Sequence, residues 1–549
     1  MRTFGSITLA TDAKTWEVTE VEPHVAIRMK QVFPRIPKWE TKLFSLPNTP
    51  IICADLDWFL SRYPLRITAE DRSALTAGRQ RHERTTADME TILLPDWQPP
   101  AYLGLREGSA LRPYQAQAIE VAYRRKALLL GDVGGLGKTY TAAGFLVRRM
   151  TLPAAVVVQV HLQTQWLEKL GQFTTLRCHS IRGTKPYSLP PADVYVFRYS
   201  QLSGWADIFA QGIFRTVVYD EIQELRTGVE SAKGCAALVL SEHVQWRIGL
   251  TGTPIYNWGR EIYAVARFLD PEVLGSAEDF FREWTSEGRL KDAKALGTYL
   301  RENHFYLRRT KADIGQQLPP VSRIVQRVDW DQKALNAVED IARQLALTSV
   351  SGSFEERGRA VRELDARVRH ATGVAKARGV AQYVRMLLEA EEPVVLVGWH
   401  RDVYDIWLEE LKDFNPVLYT GTESAAQKNR AVKSAISGET NLFIMSLRSG
   451  AGLDGLQSRF STIVKGELDW SPGMHQQLIW RLDRDGQTQP VTALYLVADE
   501  GSDPVIMEVL GLKAAEAHGI NDPHSDPIAP DADTSKLQRL AARYLGRRA

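Results

Sequence analysis

Two stretches of the chain alternate short apolar segments with amphipathic ones, which is the pattern of strands alternating with helices. The first stretch runs from Leu111 to about Asp329, and its apolar segments are KALLLGD, AAVVVQV, DVYVFRY, RTVVYDE and QWRIGLTGT. The second begins near residue 391 and contains PVVLVGW, NLFIMSL, TIVKGEL and TALYLV. Because continuous apolar runs are typical of strands buried on both faces, each stretch predicts a parallel sheet covered by helices.

The other segments carry different patterns and complete a predicted division of the chain. The N-terminal region combines short alternating stretches with proline and aromatic residues, which favours a small α+β domain followed by a proline-rich linker at 94–104. The tail begins as an acidic, proline-rich linker and ends in a basic amphipathic helix. We favour the interpretation that this helix lies on the surface in contact with solvent over the alternative that it contacts nucleic acid. The predicted order is an N-terminal domain at 1–105, a first lobe at 106–329, a charged helical connector at 330–390, a second lobe at 391–512 and the tail at 513–549.

Composition supports a folded protein of several domains. The chain has 549 residues, of which 44% are hydrophobic, and this excludes wholesale disorder. The 68 Lys and Arg residues nearly balance the 66 Asp and Glu residues, which argues against a polycation. The balance does not exclude a nucleic-acid binder, because such proteins can gather their basic residues on one face.

The sequence gives no sign of export or of a membrane segment. The three cysteines are far apart, so they predict neither a disulfide framework nor a cysteine-based zinc site. The longest apolar runs are far below the ~20 residues that a membrane helix needs, and the N-terminus lacks the layout of a signal peptide. We expect a cytoplasmic protein of a bacterium or a phage-infected cell, with a nuclear protein as the alternative.

A candidate phosphate site follows the first apolar strand, in the segment LLLGDVGGLGKTYTAAGFL. Its glycines Gly134, Gly135 and Gly137 permit a tight loop whose N–H groups surround phosphate oxygens, and the helix behind the loop adds its positive dipole end. Lys138 would reach the β and γ phosphates, and the Thr139 hydroxyl would hold Mg²⁺. An ordinary glycine-rich turn is the alternative, since Asp132 occupies the position where the general motif has glycine.

Charged pairs supply two further candidate elements. Asp220 and Glu221 end an apolar strand, where Asp220 would hold Mg²⁺ and Glu221 would act as general base; a solvent-facing acidic strand end is the alternative. Arg481 and Arg484 are three residues apart, so they share a face if the segment is helical. Arginine suits the charge that develops on a transferring phosphoryl group, but the spacing alone favours a surface helix end.

These segments, in this order over most of 111–500, resemble the Swi/Snf family of helicase superfamily 2, the DNA-translocating ATPases. The phosphate loop is similar to the family's D-E-x-G-L-G-K-T, so Asp132 is a family trait, and Val133 stands where an acidic residue is usual. Trp480 stands where the family commonly has aspartate, and Gln223 replaces histidine in the family's D-E-A-H. The matching segments are LRPYQ at 111–115, DVGGLGKT at 132–139, DEIQ at 220–223, LTGTPIYN at 250–257, LRRTK at 307–311, SLRSGAGL at 446–453, WSP at 470–472 and QLIWRLDRDGQ at 477–487.

The resemblance implies two RecA-like lobes joined by a helical connector and preceded by the small α+β domain. It implies hydrolysis of ATP with Mg²⁺ at a site between the lobes. The implied nucleotide-binding residues are Gln115, which reads adenine, the loop residues Gly134, Gly135, Gly137, Lys138 and Thr139, and Gly452. The implied catalytic residues are Glu221, Gln223, Arg481 and Arg484, with Asp220 and Thr139 at the metal.

The same resemblance implies DNA as the partner, in duplex, forked or branched form. The residues implied to couple hydrolysis to DNA are His161, Thr251, Thr253, Arg448 and Ser449. The sequence is most similar to the compact branch of annealing helicases and phage or bacterial relatives. Residues 1–105 resemble that branch's HARP-type DNA-binding module, with a structural cap as an equal alternative.

Three functions remain open at this point. The first is translocation on duplex or branched DNA that remodels or anneals it without obligatory strand separation. The second is true strand unwinding, and the third is a nucleotide-gated scaffold within a replication, repair or defence complex, which would add protein partners.

Overall fold

A computed structural model describes residues 2–255, 261–286, 289–315, 319, 321–351, 354–447, 453 and 455–511. Within them, a small antiparallel sheet is followed by two parallel sheets of seven and six strands. This confirms the predicted class of two parallel-sheet α/β lobes behind a small α+β domain. None of the described helices is both long and apolar enough to cross a membrane. The predicted linker and basic helix of residues 513–549 lie outside the described residues.

The N-terminal domain packs three helices on a three-stranded sheet. Proline in the first turn begins the first two helices, and Thr49 and Thr68 cap the second and third by accepting backbone N–H groups. The core includes Trp16, Phe44 and Phe59. The strands are β1 Ser6–Leu9, β2 Thr15–Thr19 and β3 Leu43–Pro47, and the helices are α1 Pro23–Val32, α2 Pro50–Arg62 and α3 Ala69–Leu93.

The first lobe is a seven-stranded parallel sheet in the order β12-β4-β9-β8-β5-β7-β6, accompanied by a short hairpin of β10 and β11. Its strands are β4 Ala127–Leu130, β5 Ala154–Val158, β6 Cys178–Ser180, β7 Val194–Arg198, β8 Thr216–Asp220, β9 Trp246–Leu250, β10 Thr285–Ser286, β11 Arg289–Leu290 and β12 Tyr306–Leu307. Its helices are α4 Pro113–Arg125, α5 Lys138–Leu146, α6 Gln163–Phe173, α7 Ala206–Phe209, α8 Ala232–Glu242, α9 Glu261–Leu269, α10 Ala277–Trp284 and α11 Ala293–Glu302.

Both faces of this sheet are buried, as the apolar strands require. On one face α4, α5 and α6 contribute Ile119, Phe145 and Leu170 to a core with β5 and β8. On the other face α8 and α9 contribute Leu240 and Val265 to a second core. Because the strands are parallel, their carboxyl ends lie at the same edge of the sheet, and parallel sheets bind ligands at that edge.

The second lobe is a six-stranded parallel sheet in the order β13-β18-β17-β14-β16-β15. Helix α14 covers one face through Val380 and Val384, and α16 and α17 cover the other. Residues 503–511 are also helical. The strands are β13 Val321–Arg327, β14 Val394–Gly398, β15 Val417–Tyr419, β16 Leu442–Ser446, β17 Thr462–Lys465 and β18 Val491–Val497, and the helices are α12 Gln332–Asn336, α13 Glu339–Ser351, α14 Phe354–Glu389, α15 Arg401–Glu410, α16 Ala425–Ser437 and α17 Pro472–Ile479.

Strand β13 corrects the predicted boundary between the lobes. It falls inside the segment 106–329 assigned to the first lobe, yet it pairs in parallel with β18, with Val321 opposite Val491. Ile324 and Val325 on it remain exposed, as on an edge strand. An edge strand lacks the continuous apolar run that marked the central strands, so its sequence did not reveal its sheet. The chain therefore enters the second sheet before the connector helices begin.

Candidate active site

The phosphate loop lies between β4 and α5, at the carboxyl edge of the first sheet. Gly135 and Gly137 have φ values of +90° and +75°, a region that residues with a side chain rarely adopt. Lys138 opens α5, and its Nζ donates to the carbonyl oxygens of Asp132 at 2.6 Å and Val133 at 3.4 Å. Burial lowers the pKa of Lys138, although Glu221, Asp132 and Asp220 oppose this. The ammonium group thus lies inside the loop, close to both carboxylates.

Asp132 fastens the loop to the segment that follows β12. Its fully buried carboxylate accepts hydrogen bonds from Arg309 Nε at 3.0 Å and Nη2 at 2.6 Å, and from the Arg309 backbone N–H at 3.0 Å. A charge buried in this way is tolerated because it is paired and hydrogen-bonded. Aspartate at this position therefore joins the phosphate loop to the link between the lobes.

The acidic pair lies at the end of β8. Trp166 Nε1 donates to Asp220 Oδ2 at 2.7 Å, and Tyr199 donates through its hydroxyl to the Asp220 carbonyl at 2.9 Å. Burial, together with the charge of Glu221, raises the pKa of Asp220 to about 6. Glu221 has a left-handed backbone with φ of 52°, and its carboxylate accepts a hydrogen bond from Gln223 Nε2 at 2.6 Å.

The two arginines lie in turns just past the end of α17. The condition of a helical segment is therefore not met, because α17 ends at Ile479. Beyond α17, the N–H of Asp483 donates to the carbonyl oxygen of Ile479, and the N–H of Arg484 donates to the carbonyl oxygen of Leu482. Both guanidinium groups still point the same way: Nη1 of Arg481 and of Arg484 lie 3.5 Å and 3.1 Å from the carbonyl oxygen of Leu453. The arginines therefore share a face without a helix.

A cavity of about 360 Å³ between the lobes brings the candidate groups together. An adjoining cavity of about 390 Å³ is lined by Tyr114, Gln115 and Tyr140. Gln115 Nε2 donates to the carbonyl of Leu136 at 3.1 Å, so its amide is fixed against the loop. The predicted residues that line the first cavity are Gly134, Gly135, Gly137, Lys138, Thr139, Asp220, Glu221, Arg481 and Arg484.

Contacts across this cavity hold the lobes against each other. Lys311 Nζ lies 2.8 Å from Asp483 Oδ1, and Arg112 Nη2 lies 3.2 Å from Asp485 Oδ2. Gln477 donates to the hydroxyl of Thr253 at 3.1 Å. The cavity is thus bounded on both sides by bonds from one lobe to the other.

The predicted DNA-coupling residues fall into two groups. Thr251 and Thr253 are buried at the lobe boundary, and the Thr251 hydroxyl accepts the Thr253 N–H at 2.9 Å. Both side chains are buried in the protein, which suits coupling between the lobes more than direct contact with DNA. His161 lies in the short 3₁₀ helix Val160–Leu162, and partial burial and the charges of Arg481 and Lys428 lower its pKa. Arg448, Ser449 and the nucleotide-binding candidate Gly452 lie outside the described residues.

Several residues of the site had no role assigned to them from the sequence, although Gln165-Trp166 matches the Q-W that the family often has at this place. Trp166 and Tyr199 hold Asp220, and no local pattern distinguishes Tyr199 from a core aromatic residue. Trp480 lines the cavity between the arginines and the loop. Its signal in the sequence was its departure from the family's aspartate.

The protein oxygens at this site fit a magnesium ion that is also bound by phosphate oxygens. Among the described residues, no group of three or more His, Cys, Asp or Glu side chains could hold a metal by itself. The Thr139 hydroxyl and the Asp220 carboxylate both line the cavity. Mg²⁺ commonly takes one or two protein oxygens and completes its shell with water and phosphate oxygens.

The comparisons with known proteins decide the family. The model of the SNF2-related domain matches residues 57–369, which is more than half of the chain. The chain belongs to the SNF2-related family. The resemblance to the Swi/Snf ATPases of helicase superfamily 2 is thereby confirmed.

Relatives within the family are distant and longer. The DNA annealing helicase and endonuclease ZRANB3 of Mus musculus is 26% identical over 74% of this chain and 40% of its own length. The SWI/SNF-related matrix-associated actin-dependent regulator of chromatin subfamily A member 1 of Homo sapiens is 24% identical over 81% of this chain and 47% of its own. The Sulfolobus solfataricus SWI2/SNF2 ATPase core in complex with dsDNA is 19% identical, covering 77% of this chain and 96% of that one, with a TM-score of 0.39. The chain spans less than half the length of either curated relative.

Proposed function

We propose that this protein is a DNA-dependent ATPase that translocates on double-stranded or branched DNA and remodels or anneals it without obligatory strand separation. The observation that carries the proposal is the single cavity lined by Lys138, Thr139, Asp220 and Glu221 of the first lobe and by Arg481 and Arg484 of the second. Membership of the SNF2-related family supports the same activity.

In the proposed reaction, the loop N–H groups and Lys138 bind the β and γ phosphates of ATP. Thr139 and Asp220 would hold Mg²⁺, which when bound neutralises charge on the phosphates. Glu221 accepts the proton of the attacking water, and Gln223 keeps the Glu221 carboxylate in position through its 2.6 Å hydrogen bond. The arginines stabilise the charge that develops on the transferred phosphoryl group, which is worth ~10³–10⁵ in rate for arginines in this role.

Division of the site between the lobes makes hydrolysis conditional on their closure. DNA lying across both lobes would favour the closed arrangement, so DNA should accelerate turnover. Each cycle of closure and opening would then move the lobes along the DNA backbone. Contacts would be mainly to phosphates, so binding should be sensitive to salt and weakly dependent on base sequence.

The name of the mouse relative favours annealing over unwinding, since that protein is called a DNA annealing helicase. Strand unwinding is the second candidate within the same chemistry. Partners in a replication or repair complex, and a location in the cytoplasm of a bacterial or phage-infected cell, belong to the same proposal.

The test compares ATP turnover with no DNA and with single-stranded, duplex, forked and four-way DNA, at about 50 and about 200 mM salt. The proposal expects stimulation by duplex or branched DNA, and a smaller stimulation at the higher salt. Stimulation by single-stranded DNA alone would favour unwinding. Hydrolysis that no nucleic acid accelerates would instead favour the nucleotide-gated scaffold.

A further inference from the structure

Trp480 is wedged between two glycines of the opposite lobe. A Cβ atom built on Gly134 of the phosphate loop would lie 2.7 Å from Trp480 Cγ and 2.8 Å from its Cβ. A Cβ atom built on Gly252 would lie 2.5 Å from Cζ3 of the same indole. Carbon atoms pack best about 3.5–4.0 Å apart, so neither position has room for a methyl group while the tryptophan is in place. The indole therefore fills a socket made by the two missing side chains.

The backbone does not explain why position 134 is glycine. Gly135 and Gly137 have positive φ values and need glycine for their conformation. Gly134 lies outside that region, so alanine could adopt its backbone angles. What excludes a side chain at Gly134 is the near end of the Trp480 side chain, which cannot swing aside without moving the whole indole.

One of the two positions also departs from the family's pattern. Position 134 is the open position of the phosphate loop, and this chain has the smallest residue there. Position 480 commonly carries aspartate, and this chain has the largest residue there. The smallest residue thus faces the largest across the lobe boundary, and close packing of residues in direct contact requires such a match.

Trp480 also lies where it can set the position of the arginines. It directly precedes Arg481, and the Cβ of Arg484 lies 3.3 Å from a Cβ built on Gly135. The turns that carry both arginines begin at Trp480, whose N–H donates to Gln476 at 3.0 Å. A change in the depth of the indole in its socket therefore changes the distance from the arginines to the phosphate loop.

We propose that Trp480 is a positioning residue that seats Arg481 and Arg484 against the phosphate loop, with Gly134 and Gly252 as its socket. The inference rests on the proposed ATPase activity and deepens it. Misplacement of reacting groups by about 1 Å can cost ~10²-fold in rate, so seating of this kind should act on kcat more than on ATP binding.

A double-mutant cycle tests the contact between Trp480 and Gly134. G134A should lower kcat by about 10²-fold, and W480A alone by a smaller factor, because the arginines lose their seat but meet no obstruction. The double variant G134A/W480A should match W480A. G135A is the matched control: its loss comes from the backbone and from contact with Arg484, neither of which W480A removes, so W480A should not relieve it.

W480F sharpens the test, because phenylalanine keeps Cβ and Cγ but lacks the second ring. It should relieve G252A, which meets that ring, and should not relieve G134A, which meets Cβ and Cγ. If G134A fails to fold, the G252A pair carries the test, with thermal melting and binding of a fluorescent ATP analogue measured for every variant.

The inference is overturned if the loss caused by G134A or G252A is the same with and without Trp480. It is also overturned if W480A weakens ATP binding and leaves kcat unchanged. Absence of ATP turnover in the unmodified protein is a different result, since it contradicts the proposed function itself.

Discussion

The Asp220 carboxylate is held in an environment that disfavours its charge. It is largely buried, receives a hydrogen bond from Trp166 and lies beside Glu221. Burial, followed by the charge of Glu221, raises its pKa to about 6, well above its ordinary value. Because the folded pKa exceeds the unfolded one, this group costs the metal-free protein stability as pH rises from about 4, and the cost is complete once pH has passed about 6.

Replacing Asp220 should therefore stabilise the metal-free protein while inactivating it. We expect D220N to raise the free energy of unfolding by about 2 kcal/mol at about pH 8, and by about half as much at about pH 5, which lies between the unfolded and the folded pKa of the aspartate. Thermal melting in the presence of a chelator measures this. D405N, at an exposed aspartate of α15, is the control and should change little at either pH. A loss of stability in D220N at the higher pH would contradict the assigned environment.

Arg484 should serve catalysis and not binding. R484A should lower kcat about 10³-fold with the affinity for ATP nearly unchanged, because the guanidinium group meets charge that develops only during transfer. Turnover and binding of a fluorescent ATP analogue measure the two quantities. R367A, at an exposed arginine of α14, should leave both unchanged. If R484A instead abolishes binding, the arginine contacts the ground-state nucleotide.

At the scale of elements, α14 is fastened to the second sheet by a buried ion pair. Lys376 Nζ contacts Asp503 Oδ2 at 2.6 Å and the carbonyl of Leu496 at 2.7 Å, and both side chains are at most 3% exposed. Asp503 also accepts the N–H of Ala498 at 3.0 Å. The pair therefore joins the long connector helix to β18 and to the chain beyond it.

Removing one partner of this pair should destabilise the second lobe. K376M should cost about 3–5 kcal/mol, because it leaves the Asp503 charge buried and unpaired. The double variant K376M/D503L should recover a large part of that loss. R378M, on the same helix as Lys376, breaks an exposed pair with Glu410 of α15 and should cost less than about 1 kcal/mol. Urea unfolding measures all three, and equal losses for K376M and R378M would contradict the account.

The central strands were predictable because their apolar runs are continuous, as in β5 and β8. Strand β13 was not, because an edge strand's partner depends on the rest of the sheet and not on its own residues. Likewise, α17 ends before Arg481 because the chain turns toward the first lobe, which spacing along one segment does not reveal. Elements that depend on their own residues could be predicted, and elements that depend on contacts with distant parts of the chain could not.

The same limit governs the candidate site. The glycines, Lys138 and the acidic pair follow from short motifs whose chemistry is local. Tyr199 and Trp166 act through contacts with Asp220 that only the folded sheet creates. Trp480 was predictable only in part. Its departure from the family's pattern is visible in the sequence, but its socket is visible only in the structure.

Over the whole molecule, the nearly equal numbers of basic and acidic residues are an average over surfaces with different functions. The lobes meet through opposite charges, as in the pairs Lys311–Asp483 and Arg112–Asp485. The Arg112–Asp485 pair, at 49% and 63% exposed, contributes little stability and could separate and re-form if the lobes move, whereas the Lys311–Asp483 pair is only 11% and 14% exposed. The proposed motor, which depends on closure, would need a weak contact such as Arg112–Asp485 at this boundary.

The most direct test of the central claim is the steady-state rate of ATP hydrolysis with and without duplex DNA, measured on the unmodified protein and on K138A and E221Q. The account predicts slow hydrolysis alone, at least tenfold faster hydrolysis with duplex DNA, and no turnover in either variant, with E221Q still able to bind ATP. Turnover that persists in E221Q, or a rate in the unmodified protein that duplex DNA does not change, would contradict it.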